Sequence, residues 1–107
     1  LSERIKAYIE KNYDQDISIP LLAEVFLFSP THMSHLFHEQ TGSSIKQYLI
    51  RVRIEKACEL LRTTSYSIGA VACSVGYADP LYFTRLFHKR VGMSPTVYRC
   101  GRETARE

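Results

Sequence analysis

Fifty residues separate two copies of one pattern. Leu36-Phe37-His38 returns as Leu86-Phe87-His88, Gly42 as Gly92, Ser44 as Ser94 and Tyr48 as Tyr98. Upstream, Ala23 pairs with Ala72 at a spacing of forty-nine, so the second copy holds one extra residue in its turn. A repeat with matched ends is the signature of a duplicated supersecondary unit. The 107 residues therefore have to hold two small units and whatever joins them.

In copy one, residues 29–42 read as one short helix with marked ends. Ser29 suits the N-cap, Pro30 the first helical position and Gly42 the left-handed residue just past the end. Met33, Leu36 and Phe37 recur at i, i+3 and i+4 and make one apolar stripe. The opposite face carries Thr31, Ser34, His35 and His38, hydrogen-bonding groups with no carboxylate among them. In copy two, Asp79 and Pro80 open the helix, Phe83, Leu86 and Phe87 supply the stripe, and Gly92 ends it. Its outward set, fifty residues on, is Leu81, Thr84, Arg85 and His88.

The remaining segments fill in around these two helices. Ser2 can cap a helix over residues 2–12, with Ile5, Tyr8 and Ile9 inward. Ser18 caps a short helix with Pro20 in its first turn and Leu21, Leu22, Val25 and Phe26 on its inner side. Ser43-Ser44 caps a long helix that runs to about residue 62 without Gly or Pro. Ser67 caps residues 68–75, where Gly69 costs about 1 kcal/mol relative to Ala. Ser94-Pro95 starts a last short helix through Tyr98. No segment alternates like a strand. The expected architecture is all-α: seven helices in two helix-turn-helix subdomains, residues 1–43 and 63–100, joined by a linker helix over 44–62, with a frayed polar tail at 101–107.

Composition narrows the function classes. No apolar run approaches twenty residues, so nothing here is expected to span a membrane, and no signal-peptide pattern opens the chain. The chain begins at Leu1 rather than Met, which points to a fragment of a longer polypeptide. The net charge is +3, but residues 1–50 carry −2 and residues 51–107 carry +5. A basic half fits contact with nucleic acid, and equally a soluble basic surface. Cys58, Cys73 and Cys100 have neither zinc spacing nor redox-pair spacing, and reduced thiols fit a cytoplasmic location. Cys58 and Cys73 fall on expected helices and read as small core residues.

A helix-turn-helix places its second helix in the DNA major groove, and successive grooves on one side of the duplex lie about 34 Å apart. A nineteen-residue rod of about 28 Å is of that order, so one chain could make two groove contacts. Under this reading Arg85 suits bidentate contact with guanine O6 and N7, and Leu81 suits a thymine methyl. Thr31, Ser34 and Thr84 can bond bases or phosphates, and His35 and His38 can do either. Lys89 lies at a helix end and suits the backbone, as do the free N–H groups at the helix starts near Ser18 and Ser67. His32, His35 and His38 invite a metal reading. Successive i+3 steps rotate by about 60° around a helix, so the three cannot converge on one ion, and no metal or cofactor is expected. No nucleophile–base arrangement, phosphate loop or inward carboxylate pair suggests an enzyme. The alternative is a helical protein–protein interaction module, which predicts apolar patches larger than a lone Leu81.

The run Gly76-Tyr77-Ala78-Asp79-Pro80-Leu81-Tyr82-Phe83-Thr84-Arg85-Leu86-Phe87-His88-Lys89, with Gly92-Met93-Ser94-Pro95 and Tyr98-Arg99 after it, resembles the C-terminal signature of AraC/XylS-type transcription regulators. Residues 29–37, and Arg53 with Ala57 and Leu60-Leu61, match the same pattern, and the likeness covers about residues 2–100. The resemblance implies a bacterial DNA-binding domain that recruits RNA polymerase at promoters or blocks it. It implies base contacts from Thr31, Ser34, His35, Leu81, Thr84 and Arg85, with Pro80 and Tyr82 near the backbone. The backbone contacts expected altogether are Ser18, Pro30, His38, Ser67, Pro80, Tyr82, His88 and Lys89. It also implies an N-terminal effector-sensing domain outside this chain. Many members carry Arg where His35 stands, Lys where His38 and His88 stand, and Ser where Leu81 stands. All four histidines lie on the two candidate reading helices, so binding is expected to respond to pH.

Overall fold

A computed structural model describes the backbone of residues 1–106 and the side chains of residues 1–101. The described residues form seven α-helices and no strand. These are α1 (Ser2–Asn12), α2 (Ile19–Phe26), α3 (Pro30–Thr41), α4 (Ile45–Thr63), α5 (Ile68–Ser74), α6 (Pro80–Val91) and α7 (Pro95–Arg106). They gather into two compact units, and the boundary falls inside α4 between Val52 and Arg53. The long helix expected to be a separate linker thus gives its first half to one core and its second half to the other.

In the first unit Ile5 and Ile9 of α1, Leu22 and Ala23 of α2, Met33 and Phe37 of α3, and Ile45, Leu49 and Val52 of α4 form one core. Ile5, Ile9, Leu22, Met33 and Phe37 are wholly excluded from solvent. Removing each such side chain from water contributes about 1.5–3 kcal/mol. The Tyr48 ring meets Phe37 edge-on, with centroids 5.9 Å apart, and its hydroxyl donates to Glu10 Oε1 at 3.0 Å.

Two expectations for this unit are corrected. Leu1, not Ser2, is the N-cap of α1; Ser2 is buried inside the first turn, where its N–H donates to Gln40 Oε1 at 3.3 Å. That amide sits against the end of α3, so it takes a tertiary acceptor instead of leaving its hydroxyl to cap. Val25 was expected inward but is 45% exposed, and the small Ala23 takes the buried place on α2.

In the second unit Ile54, Ala57 and Leu61 of α4 are buried, as are Val71, Ala72, Val75, Tyr77, Phe83 and Phe87. The Phe83 and Phe87 rings lie 5.8 Å apart, and Tyr98 meets Phe87 edge-on at 5.6 Å. Arg53 is buried as well, with its guanidinium 4.8 Å from the Tyr77 ring centroid. Burial pushes the Tyr77 phenol up from its ordinary value, and Arg53 pulls in the opposite direction. Arg99 donates through Nε to the Leu61 carbonyl at 3.2 Å and through Nη2 to the Thr64 carbonyl at 3.3 Å. Arg62 Nη1 donates to the Tyr98 hydroxyl at 2.9 Å. These bonds tie α7 to the end of α4 and occupy carbonyls that a helix end leaves without intrahelical partners.

Two helix ends differ from expectation by one residue and a third by eight. α4 closes at Thr63 and α5 at Ser74. α7 continues past Tyr98 to Arg106, so the tail expected from residue 101 is helical backbone that far, and Glu107 lies outside the described residues. Thr96 to Arg106 contain no Pro, and Gly101 alone weakens the run by about 1 kcal/mol relative to Ala. Cys73, expected in the core, is exposed, and Cys58 is half-buried.

Candidate nucleic-acid interface

Each unit holds two short helices joined by a tight turn. α2 ends as Leu27 adopts φ +59°, and the Phe28 N–H donates to the Ala23 carbonyl at 3.1 Å. In the second unit Gly76 adopts φ +98°, and the Tyr77 N–H donates to the Ala72 carbonyl at 2.9 Å. The same bond recurs forty-nine residues on, while the caps that follow, Ser29 and Asp79, are fifty apart. The extra residue of the second turn is therefore Ala78.

The second helix of each pair has the ends expected of it. Ser29 Oγ accepts the His32 N–H at 3.2 Å, and Asp79 Oδ1 accepts the Leu81 N–H at 3.0 Å. Such caps contribute about 1 kcal/mol each. Gly42 at φ +80° and Gly92 at φ +96° close α3 and α6, each donating its N–H to the carbonyl of His38 or His88 at 2.8 Å. A side chain there would be strained in the left-handed conformation.

Residues 31–40 and 81–90 share one exposure pattern position by position. Met33 and Phe37, and likewise Phe83 and Phe87, are buried. Leu36 and Leu86 are half-buried, as are Ser34 and Thr84, so the latter pair flank the outward face instead of standing at its centre. Thr31, His35, His38, Arg85, His88 and Lys89 are exposed, as are Pro30 and Pro80 at the helix starts. Leu81 is 69% exposed and Tyr82 49%, so Leu81 is not packed against its own unit. Tyr82 lies beside Tyr77, ring centroids 5.8 Å apart. Ser18 and Ser67 are exposed, but their hydroxyls accept from Leu21 and Ala70 N–H at 3.2 and 3.1 Å and so serve their own helices.

Three features escaped the sequence reading. The α3 face is not free of carboxylate: Glu39 Oε2 lies 3.5 Å from His35 Nε2 at the i+4 position. The spacing alone could have flagged it. His32, considered only as a metal ligand, stacks on Phe28 at 5.9 Å with planes 20° apart. Among the described residues no three His, Cys, Asp or Glu side chains gather in a way that could hold a metal ion. Leu27, in the turn, is 90% exposed. Electrostatically the two faces differ, because the last turn of α6 carries Lys89 and Arg90 with His88, whereas that of α3 carries His38 alone. Among the described residues no helix is long and apolar enough to cross a membrane.

Two helix pairs, each presenting the outer face of its second helix from a capped and buried frame, define a helix-turn-helix DNA-binding domain. The family model that matches residues 22–100 is described as a helix-turn-helix domain. The chain belongs to the AraC-type branch of these domains, the DNA-binding part of bacterial transcription regulators. It is 40% identical over 90 residues to the arabinose operon regulatory protein of Escherichia coli, covering 84% of this chain and 31% of that protein. The C-terminal domain of AraT, a response regulator from Geobacillus stearothermophilus, superposes with a TM-score of 0.91 at 36% identity, covering 94% of this chain and 84% of that one. The DNA-binding domain of AdpA, a global transcriptional factor solved in complex with a target DNA, superposes with a TM-score of 0.92 at 28% identity, covering 98% and 95%. The chain spans about a third of the length of the curated relatives it matches.

Proposed function

We propose that this domain reads duplex DNA by sequence, with α3 and α6 entering successive major grooves. The observation that carries the reading is the exposed face of α6, where Arg85 and Leu81 stand outward one helical turn apart over a buried Phe83–Phe87 frame. Arg85 supplies the bidentate donor pair that guanine O6 and N7 accept. Leu81 supplies an apolar surface for a thymine methyl. Thr31 and His35 contact base edges from α3, and Ser34 and Thr84 reach them from the flank of each face. Pro30, Pro80, Tyr82, His38, His88 and Lys89 lie against phosphates. Ser18 and Ser67 act through the backbone N–H groups of the helices they cap, since their hydroxyls are already engaged.

The whole regulator places this domain at promoters, where it assists or blocks RNA polymerase in the cytoplasm under control of a sensing domain elsewhere in the polypeptide. Replacing Arg85 with Ala tests the reading. On a site selected from random duplexes, affinity should fall by about 1–3 kcal/mol, and the preference at one base pair should relax. An equal loss on every sequence would make Arg85 a phosphate contact and remove the main support for base reading by α6.

A further inference from the structure

The first unit carries a second surface that reading DNA leaves unused. Arg4, Ala7, Tyr8 and Lys11 stand at i, i+3, i+4 and i+7 of α1, which puts them on one face of that helix. With Val25 and Phe26 of α2 they line an open groove of about 390 Å³. Its floor is apolar: Tyr8 meets Phe26 edge-on at 5.9 Å, and Val25 lies nearly half in solvent beside them. The Arg4 guanidinium lies 5.5 Å from the centre of the Phe26 ring. Lys11 stands seven residues further, about 10 Å along the axis. Among the described residues both charged side chains that line the groove are cations, and no carboxylate lines it.

That combination selects a class of ligand. A bare phosphate chain gains nothing from an apolar floor, and a neutral apolar ligand gains nothing from cations at both ends. An amphipathic helix with carboxylates two turns apart and a bulky apolar side chain between them matches both. We propose that this groove docks an acidic amphipathic helix of a partner protein. Its apolar side chain covers Val25 and Phe26, and its carboxylates pair with Arg4 and Lys11. The apolar contact seats the helix, and the rim charges select the sign of the partner. None of the six groove residues lies on α3, and the two from α2 stand at the end opposite its Ser18 cap, so the inference stands apart from the proposed DNA contacts.

The test uses the 107-residue chain and two labelled helical peptides, followed by fluorescence anisotropy. One carries Glu at i and i+7 with Leu and Phe between them, and its twin carries Lys in place of Glu. The Glu peptide should bind at least about ten-fold more tightly than its twin. Val25→Glu should abolish that binding, and Arg4→Glu with Lys11→Glu should invert the preference. If Val25→Glu fails to fold by circular dichroism, Val25→Ser carries the same test. Equal affinity for the twins, or binding indifferent to Val25, overturns the proposal. Displacement of the peptide by duplex DNA at matched ionic strength assigns the groove to DNA and overturns it too. So does self-association of the chain that Val25→Ser removes.

Discussion

Leu27 and Gly76 occupy the same place in the two turns, and both are left-handed. For glycine that conformation is free of strain, whereas a side chain with a Cβ meets the following carbonyl at a cost of about 1–2 kcal/mol. Leu27 recovers little of this by packing, because it is 90% exposed. Replacing it with Gly releases the strain but adds entropy to the unfolded chain, worth about 0.4–1 kcal/mol. The net expectation for Leu27→Gly is a gain of up to about 1.5 kcal/mol, read as a higher urea midpoint at unchanged slope. A lower midpoint would show that the exposed leucine makes a contact worth more than the strain. The pairing was legible without coordinates, since the spacing of forty-nine that joins Ala23 to Ala72 also joins Leu27 to Gly76. The positive φ was not, because leucine gives no sign of it.

Helix boundaries were the most legible feature, because caps are local chemistry. Ser18, Ser29, Ser44, Ser67, Asp79 and Ser94 each accept a backbone N–H from the first turn of the helix they precede. Burial was less legible, because it depends on partners distant in sequence. Arg53 is buried by Tyr77, twenty-four residues away, and a charged residue on a helix gives no sign of that. Val25 belongs by periodicity to the inner side of α2, yet it is 45% exposed while Ala23 is buried. α5 offers a test at this scale. It has seven residues, one of them Gly69, whose added Cβ would meet Pro80 Cγ of α6 at 3.9 Å, an ordinary contact. Gly69→Ala should therefore raise stability by about 1 kcal/mol, seen as a higher thermal midpoint with DNA affinity retained. A fall in the midpoint would mean that α5 and α6 tolerate no added atom between them.

Over the whole chain, charge divides the work of binding unevenly. Residues 1–50 carry −2 and residues 51–107 carry +5, and the cations at the end of α6, Lys89 and Arg90, have no counterparts on α3 beyond His38. Each phosphate neutralised by a protein cation releases counterions, so the logarithm of affinity falls with the logarithm of salt by about 0.9 per contact on duplex DNA. A permanent charge such as Lys89 contributes to that slope at any pH near neutrality. An imidazole contributes only when protonated, which ordinarily happens on the acid side of neutral. His38 faces solvent on α3, whereas His35 has the Glu39 carboxylate beside it at 3.5 Å. If the proposed phosphate contacts hold, Lys89→Ala should reduce the salt slope by about one at both pH 6 and pH 8. The unmodified domain is titrated with salt at the same two pH values. Salt titrations of each variant on one duplex, in matched buffers, distinguish the contributions. Identical slopes for the unmodified domain at the two pH values would show that no imidazole on either helix changes the charge set against phosphate over that range, leaving the electrostatic grip on DNA to the lysines and arginines.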